Sequence, residues 1–257
     1  MSAKTAGQPP HRPNVSQEEW DLRVELASCY RVVDEMGWSE LIFNHISLRL
    51  PGPEHHFLIN PYGLWYREVK ASNLVKIDLE GKIVGPADYP FNPAGFPLHS
   101  AIHAARPDAK CVMHTHTTAG IAIACLEEGL NHDNFYSSQI FGEVAYHNFE
   151  GVTVDTGEMP RMVASLGTKN HLILRNHGLV TMGGNVAECF MRHWNLQRAC
   201  EIQLQYMQTG RPIRPVDRAV HERNAQATQA FAKLGGARTP FAALVRRVEA
   251  RDASFRE

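Results

Sequence analysis

The sequence predicts a single domain of the α/β or α+β class, in which helices flank a β-sheet. Some segments repeat apolar residues every three or four positions, as helices do, and others alternate apolar and polar residues, as strands do. Glycine, proline and asparagine separate these segments. The 257 residues, 44% of them hydrophobic, suffice for one substantial core. No segment repeats along the chain, which excludes a solenoid.

The first predicted element is a helix from Ser16 until Gly37, because Ser16 and Glu19 have capping-box spacing and apolar residues follow at helical intervals. Alternating or clustered apolar residues then predict strands, a strand–turn–strand unit, a helix stopped by Pro107, and a buried strand. In chain order these segments are 46–50, 57–59, 74–83, 97–105 and 111–116.

Small residues predict a helix at 119–126, and a helix at 158–166 ends at Gly167. Three further strands are predicted, at 144–146, 152–154 and 171–175. The longest helix begins at Asn185, whose side chain can cap it, and runs to about Gln208. Helical segments at 217–234 and 240–250 follow.

These elements divide the chain into three parts. Residues 1–15, rich in proline and polar residues, are expected to form a flexible arm, 16–210 the domain itself, and 211–257 a C-terminal helical extension.

Composition excludes several classes of function. The 26 Lys+Arg balance 27 Asp+Glu, which argues against binding nucleic acid. No apolar segment is long enough to span a membrane, and the first residues lack the apolar stretch of a signal peptide. We therefore expect a cytoplasmic protein, with its five cysteines reduced.

The 14 histidines include a pair with metal-ligand spacing. His114 and His116 lie on a predicted strand, where alternate side chains share a face, so both imidazoles can bind one ion. His177, just past another predicted strand and before a glycine that allows a sharp turn, is the candidate third ligand. His-x-His alone is weak support, since such pairs are often structural.

Longer motifs surround these histidines. They are Phe43–Arg49 (FNHISLR), Ala94–Ser100 (AGFPLHS), Ala105–Asp108 (ARPD), Gly142–His147 (GEVAYH) and Asn176–Gly178 (NHG). Together they resemble the class II aldolase/adducin family from about Leu22 to Gly210, with the greatest similarity to the adducin head and its bacterial relatives.

The resemblance implies a three-layer α/β/α sandwich of the fuculose-phosphate aldolase type. It also implies a homotetramer with sites near subunit interfaces, and a divalent metal bound by His114, His116 and His177. Zn²⁺ is the expected ion, with Mn²⁺, Fe²⁺ or Co²⁺ as alternatives.

The sequence departs from the family pattern in two places. The enzymes carry a catalytic glutamate where this chain has Gly95, and two phosphate-binding serines where it has Pro93 and Ala94. We therefore expect a lyase that cleaves a carbon–carbon bond, by decarboxylation or retro-aldol reaction, in a small unphosphorylated carboxylate. The hydroxy, keto and hydroxyaryl acids all remain open as substrates.

The candidate acid/base residues are His45, Glu143 and Tyr136. Each also has an ordinary interpretation, as a loop histidine, an exposed carboxylate and a packing residue. The candidate substrate-binding residues are Asn44, Asn60, Gly63, Gly95 and His99. His99 and His103 lie four residues apart on a predicted helix, and both are expected to pack near the site.

The alternative is a non-catalytic module resembling the adducin head, which retains the fold for oligomerisation and for binding other proteins. The three retained imidazoles favour the enzyme, because a purely structural head does not need them.

Overall fold

The computed structural model describes residues 13–152 and 156–257. Its strands are β1 (His45–Arg49), β2 (Phe57–Ile59), β3 (Val75–Ile77), β4 (Cys111–Thr115), β5 (Val144–His147), β6 (His171–Leu174) and β7 (Gly178–Gly183). They form one mixed sheet in the order β3-β2-β1-β4-β7-β6-β5. Within the described ranges β5 and β6 are the parallel pair, and the other neighbours are antiparallel.

Helices cover both faces of the sheet, which confirms the predicted three-layer fold. They are α1 (Gln17–Glu35), α2 (Phe96–Ala105), α3 (Thr118–Ala124), α4 (Phe135–Gln139), α5 (Met159–Leu166), α6 (Val186–Met207), α7 (Arg218–Lys233) and α8 (Arg238–Glu249). Helices α2 and α5 cover one face, called here the α2 face, and α1, α6 and α8 cover the opposite, α6 face.

Most predicted elements agree with the structure to within a few residues. The sequence pattern does not predict α4 or β7, although β7 lies between β4 and β6 near the centre of the sheet. Glycines at both ends of β7 resemble turn residues and hide the strand. Val152 lies in a bend, and the other two residues of the predicted strand at 152–154, like most of the predicted arm at 1–15, lie outside the described residues.

The entry into α1 follows the predicted capping pattern. Ser16 is the N-cap, and its hydroxyl accepts a hydrogen bond from the backbone N–H of Glu19 at 3.1 Å. The buried side of α1 contributes Leu26, Tyr30 and Val33 to the core of the α6 face. This core anchors the strand that enters the site.

Strand β1 places different chemistry on the two faces of the sheet. Ile46 and Leu48 belong to the apolar core on the α6 face. Since alternate residues of a strand point to opposite faces, His45 and Ser47 point to the α2 face, where both are buried. One short strand therefore has an apolar face and a polar face.

The C-terminal helices are part of this packing. Phe241 and Val248 of α8, together with Phe255, belong to the same core as α1 and α6. The backbone N–H of Ala71 donates to the carbonyl of Phe255 at 2.9 Å. Across the described ranges, no helix has both the length and the apolar character needed to cross a membrane.

Candidate functional site

Three imidazoles converge at one end of the central strands. His114 lies in β4, His116 follows its end, and His177 lies in the turn that joins β6 to β7. The Nε2 atoms of His114 and His116 are 2.8 Å apart, and those of His116 and His177 are 3.0 Å apart. All three ligand atoms lie within 4.8 Å of one another. The structure thus brings together the three predicted metal ligands.

The β6–β7 turn is shaped by two neighbours of His177. Asn176 has a φ of 57°, so it adopts the left-handed conformation that reverses the chain. Gly178 does not have a positive φ, and a Cβ atom there would lie 2.4 Å from the carbonyl oxygen of Thr115. The glycine is required for close approach to β4, and the turn itself is made by Asn176. The sequence pattern predicts that the glycine makes the turn, and the structure corrects this.

Burial keeps the three imidazoles neutral. It lowers the pKa of His114 well below its usual range and the pKa of His116 to about 4, with the neighbouring imidazoles adding to the effect. Burial also lowers the pKa of His177. The Nδ1–H of His114 donates to the carbonyl of Leu179 at 3.0 Å, so its Nε2 has a free lone pair.

This donor set fits a divalent cation. Neutral imidazole is a good ligand for Zn²⁺ at Zn–N distances of about 2.0–2.1 Å, and nitrogens about 3 Å apart suit three ligands on one side of an ion. The hydrogen bond from His114 to the backbone fixes that ring in the way that metal-binding histidines usually require.

Two predicted substrate-binding residues support the site from inside the protein. Asn44 Oδ1 accepts from the backbone N–H of His116 at 3.0 Å, and Asn44 Nδ2 donates to the carbonyl of Trp38 at 2.6 Å. Asn60 Oδ1 accepts from the hydroxyl of Tyr30 at 3.1 Å. Both asparagine side chains are buried and bonded to protein groups.

His45 occupies the space next to Gly95. A Cβ atom at position 95 would lie 2.6 Å from Cδ2 and 2.7 Å from Nε2 of the His45 ring. Gly95 is the N-cap of α2 with a φ of −79°, so the backbone there does not require glycine. The restriction is steric: the His45 imidazole fills the volume that a side chain at position 95 would enter.

A chain of buried polar side chains continues from His45 along the α2 face. His45 Nδ1 lies 2.8 Å from His99 Nε2, and Ser47 Oγ lies between His99 Nδ1 and His103 Nε2, 2.7 Å from the latter. His103 Nδ1 is 3.0 Å from the carbonyl oxygen of Ala109. The His45 ring centroid is 4.9 Å from that of His114, so this chain ends against the imidazole cluster.

The sequence pattern indicates the histidines of this hydrogen-bonded chain but does not single out Ser47. A signal was present, because Ser47 follows His45 by two positions on a strand and therefore shares its face. The two helical histidines, four residues apart, also share a face.

The remaining candidates lie elsewhere in the chain. Glu143 precedes β5, at the end of the sheet opposite His177, and accepts a hydrogen bond from Gln229 at 3.1 Å. Tyr136 packs against the apolar cluster that includes Leu196. Gly63 is exposed in a turn with a φ of 101°. Glu143 therefore lies away from the imidazole cluster, and among the described residues no hydrogen bond or ring contact joins Tyr136 or Gly63 to it.

Known proteins share this architecture. Residues 24–204 match the family described as Class II Aldolase and Adducin N-terminal domain. An aldolase II superfamily protein from Pseudomonas syringae is 40% identical, with a TM-score of 0.91 over 95% of this chain and 98% of that chain. L-fuculose 1-phosphate aldolase from Glaciozyma antarctica PI12 is 27% identical, with a TM-score of 0.82 over 97% of each chain. Alpha-adducin of Rattus norvegicus is 50% identical over 187 residues, which are 72% of this chain and 25% of that protein.

Proposed function

This chain belongs to the class II aldolase and adducin family, and we propose that it is a divalent-metal-dependent lyase. Its substrate would be a small unphosphorylated hydroxy, keto or hydroxyaryl carboxylate, cleaved at a carbon–carbon bond by decarboxylation or retro-aldol reaction. The observation that carries the proposal is the convergence of three neutral imidazoles on one point.

His114, His116 and His177 would hold the ion, with Zn²⁺ proposed and Mn²⁺, Fe²⁺ or Co²⁺ as alternatives. When bound, such an ion polarises the oxygens of a carboxylate substrate and stabilises the negative charge left when the carbon–carbon bond breaks. Hydrogen bonds within the protein position two of these ligands. The carbonyl of Leu179 orients the His114 ring, and Asn44 Oδ1 holds the backbone N–H of His116.

The loop before α2 supports an unphosphorylated substrate. Pro93 and Ala94 carry no hydroxyl group, and proline has no backbone N–H. The N–H of Ala94 donates to Asn92 Oδ1 at 3.0 Å, and the N–H of Gly95 donates to the carbonyl of Asn92 at 3.1 Å. These two backbone donors are therefore used within the loop and do not face a phosphate.

The assembly proposed for this enzyme is a cytoplasmic homotetramer with sites near subunit interfaces. Exposed apolar side chains support an interface, among them Phe149, which is 55% exposed and whose ring lies 6.2 Å from that of His177. Since Glu143 lies at the end of the sheet opposite His177, a catalytic role for it would require a neighbouring subunit.

A second candidate function is a non-catalytic module that assembles and binds other proteins. The identity of 50% to alpha-adducin over 187 residues favours it, together with glycine at position 95. The two candidates differ in whether the imidazole cluster binds metal and supports turnover.

Elemental analysis of the full chain, purified without a histidine tag, tests the proposal. We expect about one Zn, Mn, Fe or Co per chain, followed by CO₂ release or aldol cleavage from a panel of hydroxy and hydroxyaryl carboxylates. Absence of metal after reconstitution would overturn the lyase and favour the assembly module. Metal without turnover of any panel member would leave the metal site standing and refute the proposed substrates.

A further inference from the structure

The buried chain from Ala109 to His45 has a direction that its hydrogen bonds determine. A backbone carbonyl only accepts, so the Nδ1 of His103 must carry the hydrogen in its contact with Ala109. Burial lowers the pKa of His103 to about 3, with the nearby Arg49 charge adding to the effect, so the ring is neutral. Its Nε2 is then without hydrogen and must accept from the hydroxyl of Ser47.

The same reasoning passes from Ser47 to His45. A serine hydroxyl has one hydrogen, which Ser47 gives to His103, so the Nδ1–H of His99 must donate to Ser47 Oγ. Burial lowers the pKa of His99, whose Nε2 is then an acceptor for the Nδ1–H of His45. In the neutral His45 ring, Nε2 is left with a free lone pair.

That lone pair lies next to the imidazole cluster. The His45 Nε2 atom lies 2.7 Å from the point where a Cβ atom of residue 95 would be, and the centroid of the His45 ring is 4.9 Å from that of His114. No described residue forms a hydrogen bond with this nitrogen. It is also absent from the fully buried polar atoms that lack a partner, so it is not completely enclosed by protein. An acceptor with no partner in the protein remains available to a ligand in the site.

We propose that His45 Nε2 accepts a hydrogen bond from a hydroxyl group of the substrate, so that the site selects hydroxy acids over keto acids. His99, Ser47 and His103 act as positioning residues, because they fix the His45 tautomer that makes Nε2 an acceptor. A keto oxygen in the same place would set two acceptors against each other and leave both unpaired. This inference rests on the proposed function for the carboxylate-binding metal.

The tautomer is measured first, by nitrogen-15 NMR of the histidine rings in the full metal-free chain, with the His45 signals assigned from His45→Gln. We expect His45 to be protonated on Nδ1 and unprotonated on Nε2. Ser47→Ala breaks the chain at its middle and should give a mixture of tautomers, whereas Ser47→Thr, which keeps the hydroxyl, should restore the native form.

Thr181→Ala is the matched control. It removes an equally buried hydroxyl, which bonds His193 on the opposite face of the sheet, and should leave the His45 signals unchanged. An Nε2-protonated His45 in the native chain would overturn the inference. So would a Ser47→Ala spectrum identical to the native one, provided that circular dichroism shows a native fold.

Selectivity is measured with lactate and pyruvate as probes, by calorimetry on zinc-loaded protein. We expect lactate to bind at least about tenfold more tightly, since an unpaired buried acceptor is unfavourable by roughly that factor. In Ser47→Ala the ratio should fall toward one. Equal affinities, or no binding of lactate to zinc-loaded protein, would overturn the inference. Zinc content, measured on the same samples, tests the metal site separately, because failure to bind zinc refutes the proposed function while the metal-free tautomer still stands.

Discussion

Two groups of imidazoles lie side by side on the α2 face, and they differ in whether their ring nitrogens have hydrogen-bond partners in the protein. In the cluster of His114, His116 and His177, the Nε2 atoms point at one another. In the chain of His45, His99 and His103, nearly every ring nitrogen is matched with a protein partner. A protein interior normally contains the second arrangement. The first is an arrangement that a bound cation would satisfy, as the proposed function requires.

The largest expected effect comes from removing a member of the cluster. His116→Ala should reduce bound metal from about one ion per chain to none, because a metal ligand is lost. Any lyase activity should fall more than about a hundredfold, because the charge of the ion no longer acts on the substrate. Thermal unfolding of the metal-free variant should remain cooperative, since half-buried His116 is not part of the apolar core. Elemental analysis and turnover assays measure both effects.

His56→Ala is the control for that variant, as it removes a histidine outside both groups. It should retain full metal content. Stoichiometric metal in His116→Ala would break the comparison, because the cluster would then be a structural group like the chain.

Acid should destabilise the metal-free protein through the buried rings. His45, His103 and His193 have folded-state pKa values of about 3, lowered mainly by burial from about 6.5. Between these pH values the unfolded chain binds more protons than the folded one, so stability falls as the pH drops below about 6.5. Each such ring contributes about 1.4 kcal/mol per pH unit within that window.

Thermal melts at pH 7.5, 6.0 and 5.0 measure this slope, and His193→Gln should reduce it by the contribution of one ring. A slope unchanged in His193→Gln would show that the buried His193 ring is not one of the groups that titrate. Bound zinc should preserve stability to lower pH, since the metal holds the cluster deprotonated.

A smaller effect is expected where the two groups touch. Gly95→Ala places a Cβ atom 2.6 Å from the His45 ring, which should cost about 1–3 kcal/mol of stability and displace the imidazole. Urea denaturation of Gly95→Ala and of the double variant Gly95→Ala/His45→Ala forms a cycle. The second change should relieve most of the strain of the first.

Gly184→Ala is the matched control, because its new Cβ meets the flexible end of the Glu188 side chain, at 3.0 Å, and the backbone has no positive φ. It should change stability by less than about 0.5 kcal/mol. Additive effects of Gly95→Ala and His45→Ala would show that the two positions are not sterically coupled.

The sequence predicts the metal-binding cluster of imidazoles better than it predicts the hydrogen-bonded chain from His45 to His103, for a physical reason. His-x-His on a strand encodes its own geometry, because a strand has a period of two, and the family motifs add His177. The hydrogen-bonded chain from His45 to His103 forms only because α2 packs across β1, which brings Ser47 between His99 and His103. That placement is a tertiary property that no local period contains. Gly95 was recognised as unusual, but only packing shows that His45 is what the glycine accommodates.

Strand β7 illustrates the same limit within the fold. Its six residues are all buried, and they pair with both β4 and β6, yet the glycines at its ends resemble loop signals. Close approach of Gly178 to Thr115 makes glycine a packing residue there. Sequence patterns do not distinguish a glycine that turns the chain from one that makes room for a neighbour.

The smallest expected effect tests whether backbone conformation positions the imidazole cluster, whereas side-chain hydrogen bonds position the chain from His45 to His103. Asn176 is exposed and holds the His177 turn through its φ of 57°. Asn176→Gly keeps that conformation accessible, so stability should change by less than about 1 kcal/mol and metal affinity should stay the same. Asn176→Val, whose branched side chain opposes positive φ, should destabilise by about 1–3 kcal/mol and weaken metal binding. Zinc titration of both variants separates the two. If Asn176→Gly lost zinc affinity while Asn176→Val kept it, the side chain of Asn176 and not its backbone would position His177, and the contrast between the two groups would fail.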